Sequence, residues 1–302
     1  MILDRIEADL ILSRAYLEQI VRTATYRYKS YPIPKRTGGA RIIHHPAREL
    51  KLLQYWVLQN VLSQVRTHEA ATAYIRKRNI GFNAALHAPQ NYLLRVDFRD
   101  FFPSVTDRDV IRVLTTQMAS LDKVLEDETD LFVVAQIVCR GGRLTIGAPT
   151  SPTISNVVMF EFDAEWAAAS RERGVVYSRY ADDLYFSTNE RNVLATILTD
   201  LREDLRTRQT PRLQINEKKT AFSSRKRRRL VAGLVLTPTR SVSLGRPMRR
   251  KIKSLIYSFV RGRLTKAEVQ SLKGLVSYAR SVEPTFVDSV ARKYGAAALG
   301  VL

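Results

Sequence analysis

The segment from Tyr177 to Ser187, YSRYADDLYFS, sets adjacent aspartates between two runs of aromatic and apolar residues. Successive residues of a strand point to opposite faces, so a strand running straight through would send one carboxylate into the core. A tight hairpin turn at Asp182-Asp183 takes both out of the alternation and lets them lean toward one edge of a sheet. Anions held that close repel unless a cation sits between them. Hard divalent ions such as Mg²⁺ take carboxylate oxygens and keep waters for phosphates. A two-metal phosphoryl-transfer site also needs an acid from elsewhere in the chain. Asp97, at the end of the apolar run YLLRVDF (92–98), supplies one on a rigid strand end. Taken alone, a pair of aspartates is an ordinary solvated turn and Asp97 could cap a helix. Their order changes that reading: strand and Asp, then a Gly-Pro-rich turn into a helix, then an aromatic-Ala-Asp-Asp hairpin.

Charge points the same way. Forty-nine Lys and Arg against 29 Asp and Glu leave a net charge of +20 on 302 residues, an excess that favours a polyanionic partner. An apolar fraction of 45% is that of a globular chain, long enough for two or three subdomains. No run of about 18 apolar residues suggests a membrane span, and the N-terminus lacks a signal-peptide pattern. The single cysteine, Cys139, excludes an internal disulfide and fits a reducing cytoplasm.

The pattern predicts a helix over 14–25, a hairpin over 26–43 turning at KRTGG (35–39), and a buried helical stripe of Leu50, Leu53, Val57, Val61 and Val65. Helices follow at 107–119 and 128–139. In GAPTSPTISN, Ser151 is placed to cap a helix beginning at Pro152. Two strands meet at the acidic pair, an amphipathic helix covers RNVLATILTDLREDL, and RRLVAGLVL pairs with RSVSLG around Thr237-Pro238. Basic helices begin near residue 246.

In this order the motifs resemble those of reverse transcriptases over most of the chain. VDFRDFFPSV is similar to the first catalytic motif of the palm, GAPTSPTISN to the motif along template and nucleotide, YADD to the second catalytic motif, LQINEKKT (213–220) to the next palm element, and RRLVAGLVL to the start of the primer-gripping hairpin. The resemblance implies an α+β right-hand polymerase, with fingers and palm (an antiparallel sheet packed on helices) over 1–245 and a helical thumb over 246–302. It implies that Asp97, Asp182 and Asp183, with the backbone carbonyl of Phe98, hold two Mg²⁺ ions. Lys35 and Arg41 would meet the incoming dNTP, where basic groups neutralise charge; exposed hairpin residues would look the same. Gly147 would line the nucleotide site, and Lys218 or Lys219 would protonate the leaving pyrophosphate or simply be solvated. Phe102 would pack under the nucleotide sugar and exclude a 2′-hydroxyl, or else belong to the core. Ile146 stands where many relatives have glutamine.

Within that family the chain resembles bacterial retron reverse transcriptases. NAALH, Asn83 to His87, is similar to their Asn-Ala-x-x-His signature, and Val231-Ala232-Gly233 to their Val-Thr-Gly, with Ala232 replacing threonine. Asn83 and His87 are expected to read RNA by hydrogen bonds and stacking, Val231, Ala232 and Gly233 to contact it as well, and Arg227, Arg228 and Arg229 to hold its phosphates. The resemblance implies a dedicated noncoding RNA as primer and template, priming from a 2′-hydroxyl, a branched RNA–DNA product, antiphage defence with a separately encoded effector, and RNA removal by a host RNase H, since no room remains after the thumb for such a domain. The rivals are an intron-type or abortive-infection reverse transcriptase, an RNA-dependent RNA polymerase, and a non-catalytic RNA-binding protein of the same fold.

Overall fold

The computed structural model describes residues 1–35, 38–121 and 124–295. Two helices, α1 (Ile2–Leu10) and α2 (Arg14–Arg22), open the chain. The hairpin β1 (Tyr28–Pro34) and β2 (Ala40–Pro46) follows, Tyr28 opposite Pro46 and Pro34 opposite Ala40. It runs three residues further than the pattern predicts, and Arg36 and Thr37 of the expected turn lie outside the described residues. Helix α3 (Arg48–Val57) passes into a π-helical turn over Leu58–Leu62. The stripe Leu50, Leu53, Val57, Val61 and Val65 is buried as its spacing requires. Helix α4 (Ile80–His87) then leads into β3 (Tyr92–Asp97).

Short α5 (Phe101–Ser104), α6 (Asp107–Thr116), short α7 (Met118–Leu121) and α8 (Glu128–Val138) form most of the first core with α1 to α3. Helix α9 runs Ser151–Val158 and α10 Phe160–Glu172. Thr150, not Ser151, is the residue before α9; the Ser151 hydroxyl instead accepts the Thr145 amide at 3.3 Å. Then come β4 (Val176–Tyr180), β5 (Asp183–Thr188), α11 (Val193–Thr207) and β6 (Ala221–Ser224).

The central sheet has the order β4-β5-β3-β6, all antiparallel. Its period-two alternation builds two different faces. Leu94, Val96, Leu184 and Phe186 pack with Trp166 of α10 and Ile197, Leu198 and Leu201 of α11 in a second core. Leu93 and Tyr185 point the other way, into a third core with Ala84 and Ala88.

A meander completes the chain's β structure. RRLVAGLVL is itself a hairpin, β7 (Arg229–Val231) and β8 (Leu234–Leu236), and β9 (Val242–Ser243) adds to β8. The sequence pattern placed one turn, at Thr237-Pro238. The earlier turn was hidden because Ala232 (φ 46°) precedes Gly233 (φ 86°), and a non-glycine residue is unusual in that left-handed pair. Helices α12 (Gly245–Val260), α13 (Lys266–Val282) and α14 (Pro284–Tyr294) follow. Ile252, Ile256, Leu272, Val276 and Phe286 from these helices share the third core with Val231, Leu234 and Ala84, so this core runs across residue 245. No helix among the described residues is long and apolar enough to cross a membrane.

Candidate active site

Asp97 ends β3 and stands directly opposite Asp183, the first residue of β5. Ala181 and Asp182 form the two-residue loop between β4 and β5, with Tyr180 paired to Asp183. Such loops need a positive φ at the first position to match the strand twist; Ala181 adopts 57°, a conformation glycine would take with less strain. The loop is fastened to β3: the Phe98 amide donates to the Asp182 carbonyl at 2.9 Å. Phe98 also bridges Ile215, and the Asn216 amide donates to the Asp97 carbonyl at 2.7 Å, bringing the 213–220 segment alongside.

The three acids meet at one end of the sheet. Asp97 is 2% exposed and accepts from Lys219 Nζ at 2.9 Å and Asn216 Nδ2 at 3.0 Å. Asp183 takes a two-pronged guanidinium from Arg95 at 2.9 and 3.1 Å and the Tyr185 hydroxyl at 3.1 Å. Among the described residues no cation forms an ion pair with Asp182. Burial, and then the charges of Asp183 and Asp97, push its carboxyl up to about 6. Burial also raises Asp183, with Arg95 pulling it back. Among the described residues no cluster of three or more acidic, His or Cys side chains is closed around an ion-sized space, because Asp97 and Asp183 are turned to Lys219 and Arg95. The donor set nevertheless fits hard divalent cations: three crowded carboxylates, one of them with its pKa raised by burial and then by its neighbours' charge, are relieved by positive charge.

Two supports were not legible as functional residues. Arg179, fully buried on β4, points to the second core and forms an ion pair with Asp163 of α10 at 2.6 Å. It also donates to Asn156 Oδ1 of α9 at 3.1 Å and to the Ala181 carbonyl at 3.2 Å. The residue that shapes the Asp182 loop is thereby tied to the helix of the GAPTSPTISN motif. An arginine at an inward strand position was the available signal. Tyr185, fully buried, accepts the Ala232 amide at 2.8 Å while donating to Asp183. The Val231-Ala232-Gly233 turn thus reaches the site through one phenol. Val231 is buried in the third core, leaving only Ala232 and Gly233 at the surface.

Other expected site residues divide. Lys219 joins Asp97, whereas Lys218 is exposed and, among the described residues, has no ion pair. Lys35 and Arg41 are exposed on the β1–β2 hairpin. Gly147 carries the hairpin: with φ 117°, a Cβ there would meet the His44 carbonyl at 2.7 Å, and the His44 amide donates to the Ile146 carbonyl at 2.8 Å. At position 146 this structural contact is made by backbone, so it tolerates isoleucine. Phe102 is half-buried beside Phe101, their rings 5.5 Å apart, and keeps an open side.

Four expected RNA contacts, Val231 among them, are corrected by burial. Asn83 and His87 are both 0% exposed. The Ser178 hydroxyl donates to Asn83 Oδ1 at 2.6 Å, so His87 Nε2 donates to Ser178 at 2.8 Å and Nδ1 accepts from Ser187 at 2.7 Å. The NAALH helix therefore clamps β4 and β5 from behind, and burial holds the imidazole neutral, its pKa lowered to about 3. Arg229 is likewise fully buried, donating to the carbonyls of Gln90 and Thr237. Arg227 and Arg228 remain exposed.

A four-stranded antiparallel palm with carboxylates at a strand end and in the adjoining hairpin, in a chain of net charge +20, defines a polymerase of the right-hand class. Residues 33–259 match the family described as reverse transcriptase (RNA-dependent DNA polymerase). The chain is 37% identical to the retron Ec83 reverse transcriptase of Escherichia coli over 96% of its own length and 95% of that protein's. It is 31% identical to the retron Ec73 reverse transcriptase of Escherichia coli, over 96% and 93%. A solved apo telomerase from Candida tropicalis shares the fold, with a TM-score of 0.52 and 11% identity over 86% of this chain and 58% of that one. The chain belongs to the reverse transcriptase family, and within it to the retron type. It is an RNA-directed DNA polymerase.

Proposed function

We propose that the enzyme copies a dedicated structured noncoding RNA into single-stranded DNA, priming from a 2′-hydroxyl of that RNA and leaving a branched RNA–DNA product. The observation that carries the catalytic part is the pairing of Asp97 with Asp183 across β3 and β5, with Asp182 in the adjoining loop. These three side chains and the Phe98 carbonyl would hold two Mg²⁺ ions, which polarise the phosphoryl group and lower the pKa of the attacking hydroxyl. Lys219, 2.9 Å from Asp97, would donate a proton to the leaving pyrophosphate. Arg41 and Lys35 would bind the dNTP phosphates, Gly147 would let the backbone approach the nucleotide, and Phe102 would face its sugar. Exposed Arg227 and Arg228 would hold RNA phosphates.

In the same reading, which rests on the retron type of the chain, the enzyme works in the cytoplasm and in antiphage defence with a separately encoded effector, and a host RNase H trims the RNA. The test is purification from the native locus, followed by sequencing of bound nucleic acid before and after debranching. DNA joined to RNA through a 2′–5′ linkage is the expected result. Unbranched DNA from assorted templates would favour an intron-type enzyme, and a protein with RNA but no Mg²⁺-dependent synthesis would be a binding protein only.

A further inference from the structure

The palm sheet's α11 side carries a groove that the polymerase reaction does not use. By the strand alternation, Asp97 and Arg95 lie on one face of β3, and Tyr92 and Leu94 on the other. Phe222 of β6, cross-strand from Leu94, is on that second face. As β6 is the edge strand, Phe222 projects past the cover of α11 and is 54% exposed. Tyr92 and Leu194 line the same groove, whose volume is about 410 Å³, within the ordinary range of about 300–1,000 Å³ for small-ligand pockets. Arg191, Arg227 and Glu190 stand on its rim. Among the described residues neither arginine has an ion pair or side-chain hydrogen bond, unlike Arg225 nearby, which donates to the Pro238 carbonyl at 2.8 Å.

We propose that this groove is a binding site for an unpaired nucleotide of the enzyme's RNA, outside the primer–template cleft. The base stacks on Phe222, with Tyr92 beneath it; Arg227 and Arg191 hold the flanking phosphates; and Glu190 accepts from a base amino group. Aromatic faces bind single-stranded bases without needing a particular sequence. Two unpaired guanidiniums flanking an exposed ring, on a chain of net charge +20, complement a polyanion. The site would retain the RNA from behind while its primed end is copied on the opposite face of the sheet. This rests on the RNA-copying function proposed above.

The experiment uses the full chain and a short labelled single-stranded RNA containing 5-bromouridine. Photocrosslinks should map to the peptides bearing Phe222 or Tyr92. Phe222→Leu, which keeps apolar bulk but removes the ring, should weaken RNA binding by roughly 5- to 100-fold, and Phe222→Trp should restore it. Arg227→Gln should flatten the salt dependence by about one counterion. Extension of a saturating pre-annealed primer–template should be unchanged in Phe222→Leu. Equal RNA affinity in Phe222→Leu and wild type, crosslinks confined to the opposite face, or binding of a purified effector protein there in place of RNA would each overturn the site. If the wild type itself fails to extend the primer–template, the polymerase reading fails instead.

Discussion

Replacing Asp182 by asparagine should stabilise the metal-free protein while abolishing DNA synthesis. The carboxyl is pushed from 3.8 up to about 6 by burial and by Asp183 and Asp97. A raised acid pKa means the folded state binds more protons than the unfolded chain between those values, so stability falls as pH rises through that window. The contribution is fully present below pH about 4 and lost above about 6. Two pKa units correspond to roughly 3 kcal/mol; screening by water at this partly exposed group leaves about 1–2 kcal/mol. For a chain of this length that is a rise of about 2–3 °C in Tm. The amide keeps the shape and removes the charge. Thermal unfolding of both proteins, in chelator, across the acid-to-neutral range reads the difference directly. The variant should be more stable at neutral pH, and the gap should close in acid. Adding Mg²⁺ should raise the wild-type Tm at neutral pH and leave the variant much less affected. A variant equally stable or less stable at neutral pH, or a gap independent of pH, would refute the crowding of the three carboxylates.

Arg179→Lys should lower kcat more than it raises KM for dNTP, because one ammonium cannot serve Asp163, Asn156 and Ala181 together; breaking a buried pair of this kind costs about 3–5 kcal/mol, so unfolding is measured alongside and an unchanged kcat would exclude the positioning role. His87→Ala should reduce copying of the cognate RNA and of a generic primed template alike; selective loss on the cognate RNA would restore a recognition role. With the imidazole lowered to about 3, its contribution to stability is full above the ordinary value near 6.5 and is lost as pH falls toward 3, so His87→Asn should flatten acid unfolding relative to wild type. Arg227→Gln with Arg228→Gln should reduce the salt slope of RNA binding by about two counterions, read by titration at several ionic strengths; an identical slope would remove both from the phosphate contacts. Phe102→Ala should raise ribonucleotide incorporation about ten- to a hundredfold relative to deoxyribonucleotide, the factor set by burying a 2′-hydroxyl without a partner against the ring, worth roughly 1–3 kcal/mol; an unchanged ratio in an active variant would show that Phe102 is not the sugar gate.

What the sequence determined by itself was the part written in local order. Strand period, turn residues and the apolar run before Asp97 placed the acidic hairpin and its partner strand, since each depends on neighbours within a few residues. Net charge likewise needs no coordinates to imply a polyanion. The opening helix α1 went unread, and the turn at Ala232-Gly233 was masked by a residue that rarely takes its conformation. Burial decided the rest. Asn83, His87 and Arg229 have side chains that could meet RNA, but each is enclosed by segments distant in sequence: Ser178 for Asn83, Ser178 and Ser187 for His87, and Gln90 for Arg229. Lys218 and Lys219 are adjacent in the chain, and only the fold turns one of them to Asp97. Arg179 reads as one more basic residue until α9 and α10 close over it. A side chain's role follows from what surrounds it, and here those surroundings come from other elements of the chain, through register and packing that no local pattern encodes.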